Sequence, residues 1–251
     1  MKGKITLIQI LLIFVFIICI ALIWGELADR NKDKNNMGAV KESVTTQIPN
    51  TNTDNDSKEA RLNKYKALYE QNNDTVGWIR IEDTNIDYPV VQSIQSNAYY
   101  LHRDFNREYS SSGIPFMDYQ CSIEPQSDNT IIYAHNMRNG TMFCDLLKYK
   151  ERKFYESHKI IEFDTLKDIC KYEIFAVFHT KVGETNEFKY YNFINADTDA
   201  DFDKFIAQCI KQSMYKTDII PVKGDKILTL STCSYNTDNE RFVVFARKIT
   251  V

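Results

Sequence analysis

The chain reads Lys226-Ile227-Leu228-Thr229-Leu230-Ser231-Thr232-Cys233 in one uninterrupted stretch. Its first residues are apolar and β-prone, which predicts a buried strand that ends at the cysteine. A polar loop follows, and Arg241-Phe242-Val243-Val244-Phe245-Ala246 then begins a second strand with the arginine at its start. The two strands therefore present a thiol and a permanent cation at neighbouring ends. Such a pair suits acyl transfer, because a thiolate is a nucleophile and a nearby donor can stabilise an oxyanion.

A cysteine nucleophile needs a base or an imidazolium partner, and four histidines are candidates. They are His102, His135, His158 and His179. Only His135 follows a strand directly, after Thr130-Ile131-Ile132-Tyr133-Ala134, and enters a polar turn as Cys233 does. Sequence spacing cannot fix spatial adjacency, so the pairing of His135 with Cys233 and a plain structural role are equally open. Arg241 has two interpretations as well, a catalytic cation or an edge arginine in a surface ion pair.

The N-terminal part of the chain carries an uncharged, almost wholly apolar run from Ile5 to Trp24. At about 1.5 Å per residue such a helix would cross a hydrocarbon core roughly 30 Å thick. A secretory signal peptide is the alternative, but its apolar region is usually shorter and no small-x-small cleavage site follows this one. We therefore expect an uncleaved anchor. Lysines or arginines flank it on both sides, so charge alone leaves its orientation open.

The chain of 251 residues divides by composition into four segments. We predict a short N-terminal tail over 1–4, a transmembrane anchor over 5–24, a flexible stalk over 25–56 and a folded domain over 57–251. The stalk is rich in Asn, Asp, Lys and Thr, and it has too few bulky apolar residues to offset its ordering entropy by burial. The formal net charge of −3 argues against a nucleic-acid partner.

Alternating apolar patterns predict about eight strands with a few helices between them, hence one β-barrel-like α+β domain decorated by helices. Helical spacing is predicted from Ser57 to Asn72, over Thr141–Tyr155 and over Thr198–Ser213, where Asp197 or Thr198 would cap the helix. The other predicted strands are Val76–Glu82, Ile86–Val91, Ile114–Tyr119, Thr130–Ala134, Ile160–Phe163 and Cys170–Thr180.

The remaining cysteines and the acidic runs indicate no metal or disulfide framework. Five cysteines lie beyond the apolar run, an odd number without CxxC spacing. Core packing is the simplest role for Cys144, Cys170 and Cys209. The acidic stretches Asp54–Glu59 and Asp197–Asp203 lack the ligand spacing of a calcium loop.

In their order and spacing, several motifs make the chain resemble a class B sortase, a membrane-anchored cysteine transpeptidase of Gram-positive bacteria. The resemblance runs from about Asn73 to the last residue. The motifs are Asp74-Thr75-Val76-Gly77-Trp78-Ile79, Ile86-Asp87-Tyr88-Pro89-Val90-Val91-Gln92, Asn97-Ala98-Tyr99-Tyr100-Leu101, Ile132-Tyr133-Ala134-His135-Asn136-Met137, Gly140-Thr141-Met142-Phe143 and Leu228-Thr229-Leu230-Ser231-Thr232-Cys233 with Arg241. Ala134 stands where many relatives have glycine.

The resemblance implies a sortase-like eight-stranded barrel and a role for each matched residue. Cys233 would attack the carbonyl after a threonine, His135 would move protons, and Arg241 would hold the substrate backbone or the oxyanion. Substrate-binding residues would be Asn97, Leu101, Tyr133 and Ser231. The segment around Tyr190 and Tyr191 loosely resembles the one that closes over the peptide in this class. No cofactor and no metal is implied.

The implied partners are surface proteins with a C-terminal sorting signal and an amine of peptidoglycan or its precursor as the acceptor. The motif would be NPxTN-like or (S/P)PxTG-like. The resemblance also implies an orientation, in which the single-pass anchor holds the catalytic domain (57–251) outside the cell and the short tail (1–4) lies in the cytoplasm. Two alternatives remain, namely a class B pilin polymerase with a lysine acceptor and a non-catalytic anchored binding module.

Overall fold

The computed structural model describes residues 7–45, 54–183, 187–234 and 239–249. Residues 235–238 of the polar loop predicted after Cys233 lie outside this set, as do 46–53 of the predicted stalk. The helices are α1 (Leu7–Thr45), α2 (Asp54–Gln71), α3 (Arg152–Ser157) and α4 (Asp199–Gln212). The strands are β1 (Thr75–Arg80), β2 (Asp87–Val91), β3 (Phe116–Met117), β4 (Asn129–Tyr133), β5 (Ile160–Thr165), β6 (Lys171–Lys181), β7 (Ile227–Cys233) and β8 (Glu240–Lys248).

The eight strands close into a barrel in the order β1-β2-β3-β4-β7-β8-β6-β5, which confirms the predicted fold class. Most neighbours are antiparallel, but β4 and β7 run parallel, with Tyr133 opposite Ser231 at the end of their ladder. Because parallel strands point the same way, the residues that follow β4 and β7 emerge at the same rim of the barrel. Antiparallel β8 then begins at that rim.

Two apolar layers stabilise the strands next to the rim. The barrel interior contains a buried cluster that includes Ile132, Leu230 and Val244. A second cluster packs the outer faces of β6 and β8 against Phe205 and Cys209 of α4. Since both faces of these strands are covered, their sequences are continuously apolar rather than alternating.

The helix α4 begins as the sequence predicts, with Thr198 as its cap. The Thr198 hydroxyl accepts the N–H of Asp201 at 3.2 Å, and the Asp201 carboxylate accepts the N–H of Thr198 at 3.1 Å. This reciprocal capping box satisfies two backbone donors at the helix start. The predicted strands Ile160–Phe163 and Cys170–Thr180 correspond to β5 and β6, which pair as a hairpin; the N–H of Thr165 donates to the carbonyl of Asp168 and closes it.

The predicted helix over Thr141–Tyr155 is wrong in type for most of its length. The structure has a 3-10 helix over Cys144–Lys150, an extended residue at Glu151 and only then the short α3. The buried residues explain the difference, because Phe143, Leu146 and Tyr149 recur every three positions. A three-residue period places them on one face of a 3-10 helix rather than of an α-helix.

The segment predicted as a flexible stalk is helical over residues 25–45, where α1 continues without a break. Asn36 donates to the carboxylate of Asp104 at 2.9 Å, and Val40 is only 6% exposed among barrel residues that include Phe105. These contacts with distant residues bury part of the helix, and the local composition of the segment gives no sign of them. The part Ile8–Gly25 is long and apolar enough to cross a membrane, while the division into tail, anchor, stalk and domain stays a prediction.

Candidate active site

Cys233 and Arg241 form the register pair at the rim end of the β7–β8 ladder. Their Cα atoms are register partners, so the cysteine at the end of β7 lies beside the arginine at the start of β8. Two hydrogen bonds fix the neighbouring backbone: the Thr232 hydroxyl donates to the carbonyl of Ala134 at 2.8 Å, and the N–H of Ser234 donates to Glu240 at 2.9 Å. Cys233 and Arg241 are both partly exposed at this rim.

His135 leaves β4 at the same rim, because β4 runs parallel to β7. The N–H of Ala134 donates to the carbonyl of Ser231 at 3.3 Å, and the side-chain amide of Asn136 donates to the carbonyl of Cys233 at 3.1 Å. The residues before and after the histidine are thus bonded to the strand that carries the cysteine. The structure brings His135 and Cys233 to one place, which the sequence left open.

The imidazole of His135 is half-buried, and its Nε2 lies 2.9 Å from the carbonyl oxygen of Leu101. A carbonyl only accepts, so in this arrangement Nε2 donates. The exposed ring of His102 stacks against it with centroids 5.4 Å apart. Burial lowers the pKa of His135 below 6.5, the bond to Leu101 opposes this, and His102 and Arg241 lower the pKa further. His135 is therefore neutral at neutral pH.

The thiol and the imidazole are not joined in this structure by any hydrogen bond among the described residues. An unliganded site often has longer contacts than the reactive complex, so the arrangement is compatible with proton transfer once a substrate is bound.

A cavity of about 320 Å³ opens at this rim. Its walls contain all seven residues predicted from the sequence. They are Asn97, Leu101, Tyr133, His135, Ser231, Cys233 and Arg241, with Ala98, Phe116, Ala134 and Thr232 between them. The positions agree with the prediction, and the role of each residue stays a prediction.

Two residues that the sequence reasoning missed or matched loosely lie behind this cavity. Asp118 accepts hydrogen bonds from Asn97 at 2.8 Å and from Tyr133 at 3.0 Å. An aspartate inside the predicted strand Ile114–Tyr119 was the available signal, because carboxylates are rarely buried without a partner. Tyr190, in the loosely matched segment, is hydrogen-bonded to Ser231 at 2.7 Å, and burial raises its pKa to about 12.

The other candidate side chains lie elsewhere. His158 packs on Phe154 with ring centroids 3.9 Å apart, and the Nδ1 of His179 lies 3.5 Å from Glu240. Cys170 and Cys209 are buried as expected, whereas Cys144 is partly exposed. Within the described ranges, no group of histidine, cysteine and carboxylate side chains has a geometry that could hold a metal ion.

Comparison with known proteins agrees with this geometry. The family described as the sortase domain matches residues 79–249. Sortase B of Listeria monocytogenes is 34% identical over 221 residues, which cover 87% of each chain. The structure of a Staphylococcus aureus sortase B–substrate complex superposes with a TM-score of 0.78 and 30% identity, over 89% of this chain and 99% of that one. A crystal structure of sortase B complexed with Gly3 gives 0.77 and 30%, over 88% and 99%.

The closed eight-stranded barrel, together with the match to the sortase domain, identifies a cysteine transpeptidase whose rim cavity contains Cys233, His135 and Arg241. The chain belongs to the sortase family and, within it, to class B.

Proposed function

We propose that this protein cleaves a C-terminal sorting motif after its threonine, forms a thioacyl intermediate on Cys233, and transfers the threonine to an amine. The motif is NPxTN-like or (S/P)PxTG-like, and the amine belongs to peptidoglycan or its precursor. One observation carries the proposal. Cys233 and Arg241 are register partners at the mouth of a cavity that also contains His135. A nucleophile, a cation and a proton carrier therefore face the same space.

The reaction needs two transfers of the same acyl group. The sulfur of Cys233 attacks the threonine carbonyl, the peptide C–N bond breaks, and His135 delivers the proton that the leaving amine requires. The acceptor amine then attacks the thioester carbonyl and the C–S bond breaks, while the amine proton passes through His135 to the departing sulfur and restores the thiol. Neutral His135 is suited to begin as the base that takes the thiol proton. Arg241 holds the substrate backbone or stabilises the oxyanion.

The cavity walls suit a peptide. Leu101 contributes an apolar side chain, while Asn97, Tyr133 and Ser231 contribute polar groups. A mostly apolar cleft with a few convergent polar groups is the usual form of such a binding site. The Staphylococcus aureus relative was solved as a substrate complex and another sortase B structure as a Gly3 complex. These support a peptide substrate and an amine-bearing acceptor for this chain.

We also propose that α1 anchors the protein as a single-pass membrane protein with the catalytic domain on the extracellular side. The support is the apolar window Ile8–Gly25 at the start of α1. An extracellular site fits an acceptor that belongs to the cell wall.

A fluorescence-quenched peptide that contains the motif tests the cleavage. Cys233→Ala is expected to abolish turnover, and alkylation of the wild-type thiol should do the same. Arg241→Gln is expected to reduce kcat/KM by about 10²- to 10³-fold, as the loss of an oxyanion donor does. Arg247→Gln is the matched control, because Arg247 lies on the same strand but outside the cavity. Cleavage that survives Cys233→Ala would refute the proposal.

A second experiment identifies the acceptor. The enzyme is incubated with the cleavable peptide and either a wall-peptide mimic or a pilin that offers a lysine, and the products are analysed by mass spectrometry. A product joined to the wall-type amine is expected. Exclusive joining to lysine would favour pilin polymerisation instead.

A further inference from the structure

A single buried carboxylate lies behind two residues of the cavity wall. Asp118 is only 2% exposed, and its Oδ2 accepts the amide N–H of Asn97 at 2.8 Å and the phenol O–H of Tyr133 at 3.0 Å. Its Oδ1 accepts the backbone N–H of Gln120 at 2.9 Å. Both partners of Oδ2 face the proposed peptide site, whereas Asp118 itself does not line the cavity.

These bonds determine which hydrogen-bonding groups remain for a ligand. A carboxylate only accepts, so Asn97 must direct its nitrogen towards Asp118. Its oxygen then accepts the backbone N–H of Tyr119 at 2.9 Å, which requires the same orientation. Among the residues that the structure describes, the second N–H of the Asn97 amide has no further partner and can donate to a ligand. Burial and the adjacent Asp118 raise the pKa of Tyr133, so the phenol stays protonated. Its O–H donates to Asp118. Its oxygen can then only accept from a ligand.

We propose that Asp118 is a positioning residue that fixes the hydrogen-bonding polarity of the cavity wall, with Asn97 as a donor and Tyr133 as an acceptor towards the substrate. The inference rests on the proposed function, because it assigns the wall to peptide binding. It specifies the ligand chemistry: a carbonyl oxygen opposite Asn97, and an N–H or O–H group opposite the Tyr133 oxygen.

Apart from the bond between Oδ1 and the N–H of Gln120, the turn that carries Asp118 is held by contacts that do not use the carboxylate. The side-chain amide of Gln92 donates to the carbonyls of Asp118 and Cys121 at 2.8 and 2.7 Å, and the N–H of Asp118 donates to Ile131 at 2.9 Å. All three bonds use backbone atoms of the turn. A change confined to the Asp118 side chain therefore leaves them in place.

Asp118→Asn tests the proposal with almost no change in volume. The amide has one acceptor oxygen instead of two, so it cannot satisfy the donors from Asn97, Tyr133 and Gln120 together. We expect KM for the fluorescent peptide to rise about tenfold, as for the loss of one well-placed hydrogen bond between neutral groups. We expect kcat to change less than about twofold, and the alkylation rate of Cys233 to stay at the wild-type value. An unchanged KM, or an equal fall in kcat and alkylation rate, would overturn the inference.

Asn97→Asp provides a test that leaves Asp118 intact, which matters if Asp118→Asn fails to fold. It replaces the amide with a carboxyl group that has no N–H and that shares a proton with the adjacent Asp118. The ligand therefore loses its donor, and KM should rise at least as much as in Asn97→Ala. A wild-type KM in Asn97→Asp would show that the donor is not used. The increase in KM caused by Asp118→Asn should also be smaller in an Asn97→Ala background than in the wild-type protein, because the two residues act through one contact. An equal fold increase in KM in both backgrounds would contradict the proposal.

Asp145→Asn is the matched control. Asp145 is also buried, at 4% exposed, and accepts the N–H of Asn85 at 2.8 Å, but it does not line the cavity. It should lower stability and leave KM unchanged. Wild-type enzyme is assayed beside the variants: if it does not cleave the peptide, the proposed function fails. If the wild-type enzyme cleaves the peptide and Asp118→Asn has the same KM, only the role assigned to Asp118 fails.

Discussion

The charge state of His135 is set by its immediate surroundings. Its ring is half-buried beside the carbonyl of Leu101, with His102 stacked on one face and the cation of Arg241 nearby. Burial, together with His102 and the guanidinium of Arg241, lowers the pKa of His135 and so disfavours the imidazolium. The same holds for His179, whose pKa is lowered by burial and by Lys150 against the opposing effect of Glu240. Both histidines are thus neutral over most of the physiological range.

We expect the free energy of unfolding to decrease as the pH falls below about 6.5. The unfolded histidines bind protons near 6.5, whereas the folded ones do so only at lower pH, so between these values the unfolded state holds more protons. The loss ends below the folded pKa values, and above 6.5 these groups contribute no pH dependence. Urea denaturation between pH 5 and 7.5 measures it.

Two variants identify the groups responsible for this pH dependence. His135→Gln and His179→Gln should each flatten the slope below pH 6.5, and the double variant should flatten it most. If both single variants retain the wild-type slope, the lowered pKa values are not its source.

At the scale of the elements, strand β1 depends on one glycine. Gly77 is opposite Val90 of β2 and Thr165 of β5, beside a register shift in the β1–β2 ladder. A Cβ at Gly77 would collide with the carbonyl oxygen of Asp164, a backbone atom that cannot move without shifting β5. The close approach of β5 to β1 therefore requires glycine here.

Gly77→Ala is expected to destabilise the barrel by about 1–3 kcal/mol, the usual cost of overpacking a tight contact. Urea denaturation followed by tryptophan fluorescence measures the change. Gly38→Ala is the control, because a Cβ at Gly38 meets no atom within 4 Å and alanine favours the helix there. A Gly77→Ala protein as stable as the wild type would show that β5 adjusts freely.

Sequence patterns predict those parts of the molecule that depend on local order. The strands β7 and β8, and hence the Cys233–Arg241 pair, follow from an apolar run, a polar loop and a second apolar run. The neighbourhood of His135 and Cys233 does not, because it depends on a parallel ladder between distant strands. Asp118 was hidden for a similar reason, since its partners Asn97 and Tyr133 lie 21 and 15 positions away.

At the scale of the whole molecule, the helix α1 joins the candidate anchor to the barrel. Lys32 pairs with Glu108 at 2.9 Å, Asn36 bonds to Asp104, and Val40 is buried near Phe105. These contacts lie on the helix after the apolar window ends at Gly25. The barrel therefore packs directly against the helix that carries the candidate anchor.

Val40→Asp should release α1 from the barrel, because it replaces a buried apolar side chain, worth about 2 kcal/mol, with a carboxylate. Hydrogen exchange in the detergent-solubilised full chain should become faster over residues 104–113, while peptide cleavage continues. Ala39→Asp adds the same charge to an exposed position of the same helix and should have no effect. Unchanged exchange in Val40→Asp would contradict this docking.

The parallel ladder between β4 and β7 also determines when the site can exist. Asn136 and Cys233, which are bonded to each other across the rim, are 97 positions apart in the chain. Loop closure over such a distance is slow compared with local helix or hairpin formation. A chain that emerges N-terminus first exposes the residues of β1 to β6 before Cys233 is available. The thiol can therefore meet Asn136 only after nearly all of the barrel sequence has been synthesised, and a shorter chain has no assembled centre.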